Sequence, residues 1–121
     1  MGKKILIVDD DETMLRLLAN ELKKEGYSVI TATNGANAIN YAICEKPDII
    51  IMDILLPDMQ GSDAVKRMQN SADAPDDLNI IFLSGVVIQD DEYNQRVQVG
   101  GKYYPAIPKP LDLDRLLKML L

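Results

Sequence analysis

The stretch Ile5-Leu6-Ile7-Val8-Asp9-Asp10-Asp11 joins a short apolar run to three consecutive carboxylates. The run is rich in β-branched residues, which favours a strand, and the carboxylates follow where that strand would end. A second run, Ile49-Ile50-Ile51-Met52, leads in the same way into the single carboxylate of Asp53. Neither run alternates apolar with polar residues, as expected of strands that are covered on both faces of a parallel sheet. The pattern predicts two buried parallel strands with acidic ends.

Short apolar runs alternate with helix-like segments along the whole chain. Strands are predicted over Lys4–Val8, Ser28–Ala32, Ile49–Met52, Ile80–Ser84 and Tyr104–Ile107, and helices over Glu12–Glu25, Gly35–Cys44, Ser62–Asn70, Asp91–Val99 and Leu113–Leu121. Five β-α units joined by right-handed crossovers give a doubly wound α/β sandwich, in which helices cover both faces of a five-stranded parallel sheet. The chain has 121 residues, the length of one such domain, so residues 1–121 are expected to form a single domain.

Composition narrows the classes of function. The net charge is −6, and no Lys/Arg-rich patch is present, which argues against a surface that binds nucleic acid or an anionic membrane. No apolar stretch approaches the roughly 20 residues of a membrane span. The chain contains no histidine, so it carries neither a catalytic imidazole nor a phosphohistidine of its own. Cys44 is the single cysteine, which fits a reducing compartment such as the cytoplasm, and its side chain is expected to be buried.

Four polar residues fall at the carboxyl ends of predicted strands, namely Asp9, Asp10, Asp53 and Ser84. In an open parallel sheet the binding crevice lies beyond these ends, so the four residues are predicted to share one site. Like charges gathered there are costly unless a cation joins them, and carboxylate oxygens suit the hard cation Mg²⁺. Lys109 follows the fifth run and adds an ammonium group. A carboxylate nucleophile, a cation and hydrogen-bond donors are the parts that phosphoryl transfer requires.

These residues also have ordinary structural interpretations. Asp9–Glu12 matches a solvated turn followed by the acidic first turn of a helix, and Asp53 matches a turn or helix cap. The acidic pair of the site is either Asp9-Asp10 or Asp10-Asp11, and adjacency to the apolar run favours the first.

Taken together, the motifs resemble those of the receiver domain of two-component response regulators in order, spacing and strand placement. They are Asp9-Asp10, Asp53 followed by Pro57 and Gly61, Ser84-Gly85, and Lys109-Pro110. The resemblance covers essentially the whole chain and implies a flavodoxin-like fold with strand order 2-1-3-4-5 and five flanking helices. It also implies a cytoplasmic signalling switch that catalyses only its own aspartyl phosphorylation and dephosphorylation.

The resemblance implies a role for each residue of the acidic cluster. Asp53 would accept a phosphoryl group from a sensor histidine kinase or a histidine phosphotransfer protein. Asp10 would bind Mg²⁺ directly and Asp9 largely through water. Asp53 itself and the backbone carbonyl of Leu55 would complete the set of protein oxygens around the metal.

From the same resemblance, Ser84 is expected to contact the phosphoryl group once Asp53 is modified. Lys109 is expected to contact Asp53 beforehand and the phosphoryl group afterwards. The signal would then pass to a downstream output domain or protein, and this domain itself would bind neither nucleic acid nor membrane. Leu55 and Val86, two residues after Asp53 and Ser84, are apolar and have no group to orient an attacking water, which predicts a long-lived acyl phosphate.

The chain departs from the receiver pattern near its fifth predicted strand. Ala106 stands three residues before Lys109, where many receivers carry an aromatic residue that reports phosphorylation. The interval between Ser84 and Lys109 is also long for the family. The alternative function is therefore a pseudo-receiver that acts as a constitutive protein-interaction module. The sequence leaves open whether the chain is a stand-alone receiver or one domain of a longer regulator.

Overall fold

The computed structural model describes residues 3–73, 78–85, 96–109 and 112–120. Strands and helices alternate through most of this range. In chain order they are β1 (Lys4–Val8), α1 (Glu12–Lys24), β2 (Ser28–Ala32), α2 (Gly35–Cys44), β3 (Ile49–Asp53), α3 (Gly61–Gln69), β4 (Ile80–Ser84), β5 (Arg96–Val99), β6 (Lys102–Pro108) and α4 (Leu113–Leu120). Among the described helices, none combines the length and the apolar character that crossing a bilayer requires.

The strands form one six-stranded sheet in the order β2-β1-β3-β4-β6-β5. The first five strands of this order pair in parallel, which confirms the predicted doubly wound sheet, with β6 in the place of the fifth predicted strand. The sixth strand, β5, pairs antiparallel with β6 at the edge of the sheet. The described residues contain four helices rather than the five predicted.

The helix predicted over Asp91–Val99 is wrong where the structure describes it, because Arg96–Val99 is strand β5; residues 91–95 lie outside the described residues. Polar and apolar residues alternate along β5, which suits a strand with one buried face. Gly100 and Gly101 then make the turn into β6, with φ of +56° and +83°. Positive φ at both central residues is what a two-residue type I′ hairpin turn requires, and glycine adopts it without strain.

The core consists of two apolar layers, one on each face of the sheet. Strand β3 shows the division, because Ile50 and Met52 pack in the layer that includes residues of α2 and α3, and Ile49 and Ile51 pack in the layer of α1 and α4. All five residues of β3 and all five of β4 are buried. Burying an apolar side chain of this size contributes about 1.5–3 kcal/mol, so these strands hold the residues at their ends firmly.

Cys44, the last residue of α2, is exposed, so the expectation that it is buried was wrong. The buried residues of α2 are Gly35, Ala38 and Ala42, which follow one another at three- and four-residue spacing. Cys44 lies two positions after Ala42 and therefore falls off this buried stripe.

Candidate functional site

Three strand ends place polar side chains inside the protein. Asp9 follows β1 directly, Asp53 ends β3 and Ser84 ends β4, and their residues are 0%, 7% and 1% exposed. Within the part of the chain that the structure describes, these are the only buried polar or charged residues. Because β1, β3 and β4 are neighbours in the sheet and run in parallel, the three residues meet at one edge of it.

The carboxylates of Asp9, Asp10 and Asp53 form a compact cluster. One oxygen from each lies within 4.8 Å of the others. Asp10 is exposed, so the cluster is open to solvent on one side. Asp11 instead caps the N-terminus of α1, because its Oδ1 accepts hydrogen bonds from the backbone amides of Thr13 and Met14 at 3.1 and 3.2 Å. The structure thus brings Asp9-Asp10, rather than Asp10-Asp11, to Asp53.

Lys109 joins the two buried carboxylates of the cluster. Its Nζ donates to Asp9 Oδ2 at 2.8 Å and to Asp53 Oδ2 at 3.0 Å. Its backbone amide donates to the carbonyl of Ser84 at 2.7 Å, which fixes the chain where it leaves β6. The Lys109 side chain is 26% exposed, so it is partly open to solvent.

Burial and charge shift the ionisation of this cluster. Burial raises the pKa of Asp53, and repulsion from Asp9 adds to that, although the hydrogen bond from Lys109 opposes it. Burial works against the charged form of Lys109, but its bonds to Asp9 and Asp53 outweigh this and raise the pKa of the ammonium. Three carboxylates and one ammonium leave an excess of negative charge when all are ionised. Oxygen donors with such an excess fit a divalent cation such as Mg²⁺.

The loop that follows β3 returns close to Asp53. The amide of Leu55 donates to Asp53 Oδ1 at 3.3 Å, and the Leu55 side chain is exposed. Gly61 N donates to the carbonyl of Ile54 at 2.7 Å. A Cβ on Gly61 would lie 2.2 Å from the carbonyl oxygen of Asp53, so the loop can close this tightly only with glycine at that position.

Of three further residues singled out in the sequence, only Gly85 lies within the described part of the chain. Gly85, directly after Ser84, is exposed. Pro110 and Val86 lie outside the described residues.

Along the chain, the aromatic residue nearest to the expected switch position is Tyr104. Ala106 is buried and pairs with Phe82 of β4, whereas Tyr104 lies two residues earlier in β6 and packs edge-on against the same Phe82 at 6.1 Å. Gln69 Nε2 donates to the Tyr104 hydroxyl at 2.8 Å and to the carbonyl of Val99 at 3.1 Å. The extra strand β5 lies within the long interval between Ser84 and Lys109.

One further residue near the site, Asp58, was missed by the sequence analysis. Its carboxylate accepts hydrogen bonds from the first amides of α2. The partners are more than 20 residues away in the chain, so no local pattern marks this contact.

Comparison with known proteins agrees with this geometry. The profile of the response regulator receiver domain family matches residues 5–121. The chain is 45% identical to the alkaline phosphatase synthesis transcriptional regulatory protein PhoP of Bacillus subtilis, with 100% of the chain and 49% of PhoP covered. It is 35% identical to protein PilH of Pseudomonas aeruginosa, with 97% of the chain and 93% of PilH covered. The chain thus spans about half the length of PhoP and nearly all of PilH.

Solved structures show the same fold. The chemotaxis response regulator CheY4 of Vibrio cholerae matches with a TM-score of 0.77 at 28% identity, over 99% of this chain and 97% of CheY4. The receiver domain of the sensor histidine kinase PA1611 of Pseudomonas aeruginosa, which has a magnesium ion in its active site cleft, matches with a TM-score of 0.77 at 26% identity, over 99% of this chain and 95% of that one. The chain therefore belongs to the response regulator receiver domain family.

Proposed function

We propose that the chain is a phosphorylation-controlled signalling switch, in which Asp53 receives a phosphoryl group from a phosphohistidine donor with Mg²⁺ and a protein-binding surface changes as a result. The observation that carries the proposal is the buried Asp53 carboxylate, bonded to Lys109 Nζ at 3.0 Å within a cluster of carboxylates. Neither a turn cap nor a solvated acidic turn needs a buried carboxylate with a lysine partner.

In this reaction an oxygen of Asp53 attacks the phosphorus of the donor. The P–N bond to the donor imidazole breaks, its electron pair stays on the imidazole, and an acyl phosphate forms on Asp53. Lys109, which already donates a hydrogen bond to Asp53, supplies a positively charged hydrogen-bond donor to the phosphoryl oxygens. The Ser84 hydroxyl supplies a second hydrogen-bond donor. Asp9, Asp10, Asp53 and the Leu55 carbonyl would hold Mg²⁺. When bound, the ion offsets the negative charge of the phosphoryl oxygens.

The chain would catalyse only its own phosphorylation and dephosphorylation. Its donor would be a sensor histidine kinase or a histidine phosphotransfer protein, and the signal would pass to an output domain or a separate output protein. A location in the cytoplasm suits these partners and the free thiol of Cys44. No contact with nucleic acid or membrane is proposed for this domain.

The test is the amide NMR spectrum in the presence of Mg²⁺, recorded before and after addition of phosphoramidate, a small donor with the same P–N bond as phosphohistidine. We expect resonances to shift around Ser84 and Lys109 and also at residues that do not touch the site, since a switch must move a surface. Asp53→Asn should show none of these shifts. Asp63→Asn removes an exposed acid from the nearby first turn of α3 and should respond like the wild type. A spectrum that Mg²⁺ and donor leave unchanged would favour the constitutive interaction module.

A further inference from the structure

The loop between β3 and α3 folds back on itself as a narrow turn. Leu55 and Gln60 form an antiparallel bridge, and Leu56 N donates to the carbonyl of Met59 at 3.1 Å. The turn therefore has Asp58 near its tip, while its base lies against Asp53. Contacts at the tip therefore add to those that hold the base of the loop.

The tip is bonded to the N-terminus of α2. Asp58 Oδ1 accepts from Gly35 N at 2.7 Å and Oδ2 accepts from Ala36 N at 3.0 Å. The bond from Gly35 contributes most to lowering the pKa of the Asp58 carboxyl, as expected for a carboxylate at the positive end of a helix. The helix also has a cap of its own, because Asn34 Oδ1 accepts from Asn37 N at 2.8 Å. Asp58 is thus an addition to the usual cap and links two segments that are distant in the chain.

A second contact holds the tip to the same point. The side chain of Met59 lies directly against Gly35, and a Cβ added to Gly35 would be 2.4 Å from Met59 Cγ and 2.5 Å from its Sδ. The approach is possible because Gly35 has no side chain. Two hydrogen bonds to the Asp58 carboxylate and one apolar contact therefore join the loop to α2.

We propose that Asp58 is a positioning residue for the cation site, which holds the loop so that Leu55 presents its carbonyl to Mg²⁺. The inference rests on the proposed function, which includes that carbonyl among the metal ligands. Leu55 is held by contacts on both sides. Its own amide donates to the Asp53 carboxylate, and three residues later the Asp58 carboxylate accepts from the amide of Gly35 in α2. Without the link the loop gains conformational freedom that cation binding must remove, and the affinity falls.

The test is calorimetric titration with MgCl₂ of the wild type, Asp58→Ala, Asp58→Asn and Asn34→Ala. We expect Asp58→Ala to bind Mg²⁺ about tenfold more weakly, the low end of the range for residues that orient metal ligands. Asp58→Asn retains one acceptor oxygen and should fall between Asp58→Ala and the wild type; it also keeps the test available if Asp58→Ala folds poorly. Asn34→Ala weakens the same end of α2 without touching the loop and should bind Mg²⁺ like the wild type.

Thermal unfolding without Mg²⁺ separates positioning from helix stability. Asp58→Ala and Asn34→Ala both remove bonds to amides of the first turn, so both should lower the melting temperature. Unchanged Mg²⁺ affinity in Asp58→Ala, or an equal loss in Asn34→Ala, would overturn the inference and leave the proposed function standing. A wild-type chain that binds no Mg²⁺ and takes up no phosphoryl group would overturn the proposed function and the inference with it.

Discussion

Replacing Lys109 with methionine isolates the electrostatics of the site. Lys109→Met keeps most of the side-chain volume but removes the ammonium that bonds Asp9 at 2.8 Å and Asp53 at 3.0 Å. The side chain of Asp9 is 0% exposed and that of Asp53 is 9% exposed, so water cannot replace the lost donor well. An unpaired buried carboxylate destabilises the folded state, and we expect the variant to be clearly less stable than the wild type at pH 7.

The size of this loss has an upper limit, because a carboxylate without its partner can take up a proton instead. Protonation at pH 7 of a carboxyl whose reference pKa is 3.8, as for Asp53, costs about 1.4 kcal/mol per pH unit, or about 4 kcal/mol for that one carboxyl. The Lys109 side chain is 26% exposed, so solvent screens part of the interaction. We therefore expect a loss of about 2–3 kcal/mol, which lowers the melting temperature of a domain of this size by about 8–12 °C.

The assay is thermal unfolding followed by circular dichroism, without Mg²⁺, at pH 7 and pH 4. Protonation costs less at pH 4, so the gap between Lys109→Met and the wild type should narrow there, and added Mg²⁺ at pH 7 should narrow it as well. The control is Lys24→Met, which removes an exposed ion pair with Glu21 and should cost less than about 0.5 kcal/mol. A Lys109→Met variant as stable as the wild type at pH 7, or equally destabilised at both pH values, would refute the reasoning.

Three further outcomes follow from the structure. Burial in the folded protein raises the pKa of Asp53, so the ionised carboxylate destabilises the folded state at pH values above its reference pKa of 3.8. Asp53→Asn should therefore be more stable than the wild type at pH 7, and this gain should be lost as the pH falls below 3.8. Denaturant titrations at pH 7 and at a pH below 3.8 check this, and equal stability of the variant and the wild type at pH 7 would contradict it. Gly61→Ala should lose about 3 kcal/mol in the same assay, because its Cβ meets the backbone of Asp53, whereas Gly85→Ala, with open space around its Cβ, should lose little. Gln69→Ala removes the two hydrogen bonds to the β5–β6 hairpin and should lower the free energy of unfolding by about 1–2 kcal/mol. Relative to the wild type, amide hydrogen exchange should become faster in β5 but not in β1, and unchanged exchange in β5 would count against this role of Gln69.

The parallel sheet and its acidic edge could be predicted because their signals are local. β1, β3 and β4 are continuous apolar runs, and the polar residues that follow them arrive at one edge of any parallel sheet. The meeting of Asp9, Asp10 and Asp53 depends only on that rule. The bonds from Lys109 could be expected from the resemblance but not from spacing, because they depend on where the chain leaves β6.

The hairpin at the sheet edge shows where sequence reasoning went wrong. Arg96–Val99 was predicted to continue a helix, although its residues alternate and two glycines follow. That pattern is a hairpin signal, and the prediction of a helix over Asp91–Val99 did not take it into account. The link from Asp58 to α2 is different in kind, because it joins residues far apart in the chain and depends on the relative position of two packed segments.

The most direct test of the central claim is intact-mass spectrometry after incubation with acetyl phosphate, with and without Mg²⁺, beside Asp53→Asn. The account predicts the mass of one added phosphoryl group on the wild type, dependent on Mg²⁺ and missing from Asp53→Asn. The same adduct on Asp53→Asn would contradict the assignment of Asp53 as the phosphoacceptor. No adduct on a wild-type chain that binds Mg²⁺ would contradict the claim that the chain catalyses its own phosphorylation.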